Sequence, residues 1–175
     1  MIKNKKEILA KYPFLKLRDF DGSVYLHDGE PVLMHMEIPK GWYKVFFQMC
    51  DDIKPILEKE GKLEEFYFIQ VKEKFNGLRC YSAGASEEVH KILDKYEYMA
   101  SYICTNCGKP ATIETTHYIA SFCDDCWKDK YRHQSINFIK FKPFYQIERW
   151  SKEKDDSEII TISFEEEWNR YLASL

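Results

Sequence analysis

Four cysteines are spaced to hold one metal ion. Cys104 and Cys107 form one Cys-x2-Cys pair, Cys123 and Cys126 form a second, and fifteen residues separate the pairs. Two intervening residues let both sulfurs of a pair reach one ion from a tight knuckle. A gap of this length suits a hairpin that brings the second pair back to the first. Gly108 follows the first pair, where a knuckle needs a residue tolerating positive φ. Ala111 to Phe122 is rich in Thr, Ile, Tyr and Phe, as strands are. Asp124 and Asp125 then suit the first turn of a helix through WKDKYRHQ. Four thiolates favour one structural Zn2+ with no open position. Such an ion is expected to stabilise the fold and not to catalyse.

Other cysteine chemistries fit less well. Disulfides need an oxidising compartment. The N-terminal stretch MIKNKKEILAKYPF lacks the apolar core of a signal peptide, and no apolar run reaches the ~18–20 residues that span a bilayer. The expected location is therefore cytoplasmic, with no membrane partner. A thioredoxin-type redox pair explains one Cys-x2-Cys, not two. A rubredoxin-type iron centre wants a glycine after the second pair, where this chain has Trp127. Cys50 and Cys80 lie in apolar-patterned segments and read as buried small hydrophobes. Knuckle, hairpin, then a cysteine pair opening a helix resembles a treble-clef zinc finger. HNH nucleases share that frame and carry a catalytic histidine on the hairpin. His117 falls there, but only five residues separate it from Cys123, too few for the insert such enzymes need. HNH catalysis is not expected.

A second chemical feature lies upstream. Residues 64–82 read as a β-hairpin with Asn76-Gly77 as a type I′ turn. That turn sets Phe75 opposite Leu78, Lys74 opposite Arg79, and Lys72 opposite Tyr81. One face then carries Glu73, Phe75, Leu78 and Cys80, continuing to Val71 and Ile69. The other carries Lys72, Lys74, Arg79 and Tyr81. Like charges directly opposite destabilise a hairpin, so this face asks for a reason. One reason is solvation, with Glu73 or another carboxylate neutralising the cations. The other is an anionic ligand, a phosphate, nucleotide or acidic protein surface, with Tyr81 free to stack.

The stretch VKEKFNGLRCY resembles a V-K-E-K-F-G-x-L-R-F-Y signature of small uncharacterised bacterial and phage proteins. Lys72, Lys74, Phe75, Gly77, Leu78, Arg79 and Tyr81 fit it, while Asn76 stands at or beside the motif's glycine and Cys80 replaces an aromatic residue. In that group a helix leads on to a C-x-x-C-G knuckle, as one does here to Cys104-Thr-Asn-Cys107-Gly108, and a Gly-Trp precedes a helix, as Gly41-Trp42 does here. The resemblance covers about residues 40–127. It implies this architecture and a prokaryotic or viral setting, and no mechanism.

The remaining elements must position these two features. Residues 4–12 predict a short helix ending before Pro13, and 20–38 a turn-rich, strand-like stretch. Trp42, Val45, Phe46, Met49, Ile53, Ile56 and Leu57 keep a helical period, with Pro55 expected to kink the helix or end it near Asp52. Ser86 caps a helix whose stripe is Val89, Ile92, Leu93, Tyr96, Met99, Ala100 and Ile103. It leads into Cys104, so the metal module should pack on the main domain. After Trp150, SKEKDDSE reads as a linker, Ile159 to Ile162 as a short strand, and Phe164 to about Ala173 as a last helix.

The expected class is α+β: a small antiparallel sheet with flanking helices plus the zinc finger. The expected parts are an α+β domain over 1–103, a zinc module over 104–135, and an aromatic segment with an acidic tail over 136–175. Hydrophobic residues make up 45% of the 175, which supports a packed core. Net charge is −3, and residues 104–150 hold 7 basic against 5 acidic groups, so no broad polyanion surface exists. The residues favour a non-catalytic binding or regulatory module for an anionic ligand, nucleic acid or protein partner, host-directed if phage-encoded. An enzyme on nucleotides or nucleic acid would need an open metal or an acid/base pair, and no such motif stands out; His27, His35, His90 and His133 are isolated. A structural or oligomeric component, using the acidic tail and Phe138 to Tyr145, is the third reading.

Overall fold

The computed structural model describes residues 4–131, 136–140, 145–151 and 156–162, with side chains through residue 140. The predicted last helix lies outside these residues. Helix α1 spans Lys5–Lys11, with Asn4 capping it through the Lys6 amide, and a 3-10 turn follows at Pro13–Leu15. Strands β1 (Leu26–His27) and β2 (Glu30–Pro31) form a hairpin around Asp28 and Gly29, whose φ values are 53° and 80°. Strand β3 is Met36–Glu37, and a 3-10 turn at Lys40–Trp42 leads into helix α2, Tyr43–Glu60. Strands β4 (Tyr67–Lys74) and β5 (Gly77–Ala83) and helix α3 (Glu87–Ala100) complete the main body.

The main sheet has order β3-β4-β5. The β4–β5 pair is antiparallel, as expected, but β3 joins β4 in parallel. A parallel neighbour needs a long crossover, and α2 supplies it. Helix α2 lays Val45, Phe46, Met49, Cys50, Ile53 and Leu57 into the core. Of the two outcomes expected of Pro55, an end near Asp52 does not occur: the helix continues through Pro55 to a left-handed Gly61 cap. Pro55 is exposed, and the burial of Ile53 and Leu57 outweighs a proline cost of roughly 3 kcal/mol. Two neighbouring aspartates on α2 each hold a buried tyrosine. Tyr12 donates to Asp51 at 2.8 Å and Tyr96 donates to Asp52 at 2.6 Å, pinning both flanking segments to one helix.

The hairpin register differs from the sequence reading. The turn residues are Phe75 and Asn76, with φ of 51° and 60°, not Asn76 and Gly77. Lys74 therefore pairs with Gly77, Lys72 with Arg79 and Gln70 with Tyr81. Lys72, Lys74 and Arg79 still share one face and Glu73, Leu78 and Cys80 the other, because the pairing slides by an even number of residues, but Phe75 leaves the inner face for the turn and is 75% exposed. A bulge between Phe68 and Gln70 then changes the alternation. Phe68 and Phe66 go into the core, and Ile69, expected inside, is 63% exposed.

Residues 101–131 build the metal module. Strands β6 (Ile113–Thr115) and β7 (Ser121–Phe122) form a hairpin, and helix α4 spans Asp124–Tyr131. Strand β8 (Phe138–Lys140) adds to β6, so this sheet includes residues beyond 135. Phe138 and Ile139 are exposed. Strands β9 (Tyr145–Ser151) and β10 (Asp156–Ile162) pair antiparallel. The expected linker at 151–158 is thus partly strand.

The module sits on the main body through backbone contact. Gly41 donates its amide to Thr105 O at 3.0 Å, and Trp42 Nε1 donates to Ile103 O at 3.1 Å. A Cβ on Gly41 would stand 2.1 Å from Cys104 O and 2.8 Å from Gly108 N. Gly41→Ala is therefore expected to cost about 3 kcal/mol in urea denaturation, since backbone on both sides cannot give way. An unchanged midpoint would show that the contact is dispensable.

Candidate metal centre

The knuckle is shaped by its own amides. Gly108 N donates to Cys104 O at 3.0 Å, and Cys104 N donates to Lys109 O at 2.8 Å. Gly108 holds φ at 78°, and a Cβ there would stand 2.7 Å from Gly41 O. Both the turn and the close approach exclude a side chain. Opposite, Trp127 N donates to Cys123 O at 2.9 Å in the first turn of α4. Thr112 Oγ1 donates to Asp124 at 2.9 Å and Lys109 pairs with Asp125 at 3.2 Å, fixing the second pair against the hairpin.

Cys104, Cys107, Cys123 and Cys126 come together. Their sulfurs all lie within 4.8 Å of one another, and Cys107 and Cys123 Sγ are 3.6 Å apart. Four sulfurs at about 2.3 Å from a tetrahedral zinc ion stand roughly 3.8 Å from each other. All four cysteines are free. The donor set and its size fit one metal ion. Asn106, which the sequence did not single out, donates from Nδ2 to Cys126 Sγ at 3.2 Å.

The electrostatics ask for a cation. Burial disfavours ionisation of Cys104, but the amides of Cys123, Cys107 and Asn106 outweigh it and bring its thiol down to about 7. The Asn106 amide favours ionisation of Cys126, yet burial and the neighbouring thiols push that group up to about 12. Burial also raises Cys123. One thiolate forms readily and then opposes the others. A bound divalent ion removes that opposition.

The hairpin candidates do not act as one cluster. Arg79 Nη1 donates to Leu78 O at 2.8 Å and lies 3.8 Å from Glu97 Oε2. It lines a recess of about 520 Å3 with Asp94, Glu97 and Glu114. Lys72 Nζ sits 5.4 Å from the Tyr81 ring centroid, and Lys74 Nζ sits 5.7 Å from that of Phe75. Glu37 is the register neighbour of Lys72 on the outer face. Cys50 and Cys80 are buried, which raises both thiols well above their usual value. His117 is exposed in the β6–β7 loop and meets Thr116 Oγ1 at 3.3 Å.

Glu97 was not singled out in the sequence because a lone carboxylate flanking the apolar stripe of α3 carries no motif. Its Oε1 accepts from the Cys80 amide at 2.6 Å, an edge group of β5. Burial raises its pKa above the usual 4.5, against the Cys80 amide and Arg79.

Comparison of the chain with family models, curated proteins and solved structures returns no match. Among the described residues, no helix is long and apolar enough to cross a membrane.

Two outcomes follow from this geometry. Protein purified without chelator should carry one zinc per chain by elemental analysis. Cys104→Ser and Cys123→Ser should each abolish that stoichiometry, and metal-free wild-type protein would refute the site. For Glu97 the sign is set by its raised pKa: the fold favours the protonated form, a contribution complete below about 4.5 and lost as pH rises through the raised value. Glu97→Gln should therefore gain stability relative to wild type between pH 4 and pH 7 in urea titrations. Glu97→Ala should lose about 1–2 kcal/mol by orphaning the Cys80 amide.

Proposed function

We propose that this protein is a zinc-stabilised, non-catalytic binding module that meets an anionic partner on the outer face of its β4–β5 hairpin. The observation that carries the structural half is the closed set of four sulfurs within 4.8 Å. A site filled by four thiolates offers no position for substrate or activated water, so the ion serves the fold. Its order of knuckle, hairpin and helix is that of a treble clef. No disulfide is needed, and a reducing cytoplasm suits four free thiols.

The binding half rests on Lys72, Lys74 and Tyr81. Tyr81 is 45% exposed, and Lys72 lies against its ring, so a cation and an aromatic face are presented together. That pairing suits a phosphate with a stacking base, as in single-stranded nucleic acid. Arg79 contributes less, because Leu78 O and Glu97 already hold it. The same hairpin, helix and knuckle order in the bacterial and phage proteins it resembles supports treating these parts as one unit, in a prokaryotic or viral setting.

The test is titration of the zinc-loaded chain with a fluorescent single-stranded oligonucleotide, a nucleoside triphosphate and inorganic phosphate. Two lysines in contact predict a log K against log salt slope of about −1.4 for the single strand. Lys72→Glu with Lys74→Glu should abolish binding, and Tyr81→Ala should weaken it by about 1–3 kcal/mol. Binding that survives the charge reversal, or wild-type protein that binds none of the probes, overturns the anionic reading.

A further inference from the structure

The turn of the β4–β5 hairpin sits one residue before the place its own sequence prefers. Asn-Gly is the favoured pair for a type I′ turn, and this chain uses the comparable Asp28-Gly29 in that way. Between β4 and β5 the left-handed pair is Phe75 and Asn76 instead, with φ of 51° and 60°. Positive φ is disfavoured for an aromatic residue. The hairpin by itself would place the turn at Asn76-Gly77, so a contact from outside holds it.

That contact comes from the metal module. Asn76 is only 3% exposed. Its Nδ2 donates to Ser121 Oγ at 2.7 Å and to Glu114 Oε2 at 2.8 Å, and its backbone amide donates to Glu73 Oε1 at 2.7 Å. Its Oδ1 is buried without a partner among the described residues, a cost that other bonds must offset. Ser121 is fully buried as well. Its Oγ donates to Ser101 O at 2.8 Å, and its carbonyl accepts from Thr105 N at 2.9 Å and Thr105 Oγ1 at 3.0 Å. Thr105 follows Cys104, and Ser121 stands two residues before Cys123. The bonds between Thr105 and Ser121 join the two ligand segments that one ion would bridge.

We propose that metal occupancy and the hairpin tip form one coupled unit, linked through Ser121 and Asn76. The ion holds Ser121 against Thr105, Ser121 and Glu114 hold Asn76, and Asn76 holds the displaced turn that sets Lys72 opposite Arg79. Metal loading thereby regulates the outer face of the hairpin. This rests on the metal-centre reading. Coupling of this kind is reciprocal: whatever loosens Asn76 weakens the ion's affinity by the factor by which losing the ion loosens the tip.

The test is amide hydrogen exchange, read by mass spectrometry on the full chain, zinc-loaded and after chelation. Zinc content is measured first, and absence of zinc from wild type defeats the metal reading and the coupling together. In zinc-loaded Ser121→Ala, one zinc per chain should remain and residues 104–126 should stay protected. Residues 73–79 should exchange about tenfold faster, and zinc affinity against a competing chelator should fall by a similar factor. In wild type, chelation should open 73–79 together with 104–126 while α2 stays protected. Zinc-loaded Ser121→Ala with a tip as protected as in wild type defeats the coupling alone, and so does chelation that opens 104–126 only. Should Ser121→Ala not fold, Asn76→Asp removes the donor, keeps tolerance of positive φ, and is judged by the same two readouts.

Discussion

The structure depends on a place where two stretches of backbone touch with no side chain between them. Gly41 and the knuckle from Cys104 to Gly108 meet closely enough that either glycine's Cβ would collide with the other strand. Everything on both sides is arranged around that contact. Trp42, next to Gly41, is fully buried in the main core and still spends its indole N–H on Ile103 O. The knuckle thus cannot move without disturbing the first turns of α2. The cysteine site and the core are two ends of one packing problem, because the knuckle that carries Cys104 and Cys107 also packs on Gly41 and Trp42.

The sequence was most legible where chemistry and spacing coincide. The cysteine pairs, the Ser86 cap and the α2 stripe all rest on short-range rules, and they reappear with their expected partners. Ser86 Oγ accepts from Val89 N at 3.3 Å, and the predicted stripe of α2 supplies its buried face. The misread positions are those where a distant segment outvotes local preference. Pro55 is tolerated because its neighbours Ile53 and Leu57 are locked in the core. The Asn-Gly turn is displaced because Asn76 finds acceptors on β6 and β7, far along the chain. Ile69 is turned outward by a bulge that no composition signal marks. The cationic and aromatic side chains of the hairpin were legible as residue types but not as a surface, since nothing local announces that Glu97 claims Arg79.

Arg79 and Glu97 show how one face can serve two ends. Strand β5 is one edge of the main sheet among the described residues, and an edge strand invites pairing with another chain. Its outward Leu78 carbonyl takes the Arg79 guanidinium, and its outward Cys80 amide takes the Glu97 carboxylate. Two opposite charges sit where a foreign strand would have to bond. Lys72 and Tyr81, on the face rather than the edge, remain presented outward. The division keeps these two side chains apart from the backbone groups that Arg79 and Glu97 occupy.

The placement of the ligands also orders events in time. Both cysteine pairs lie within a short stretch, so gathering them closes only small loops, whose entropy cost grows slowly with length. The Gly41 contact spans a far longer stretch and waits for α2 and the sheet to form. On the ribosome, the core elements through α3 emerge before either cysteine pair is complete. Gathering the four sulfurs therefore follows the core elements, while β8, which adds to β6, comes later still. A chain cut short before Cys123 would carry only Cys104 and Cys107, half of the sulfurs that the site gathers.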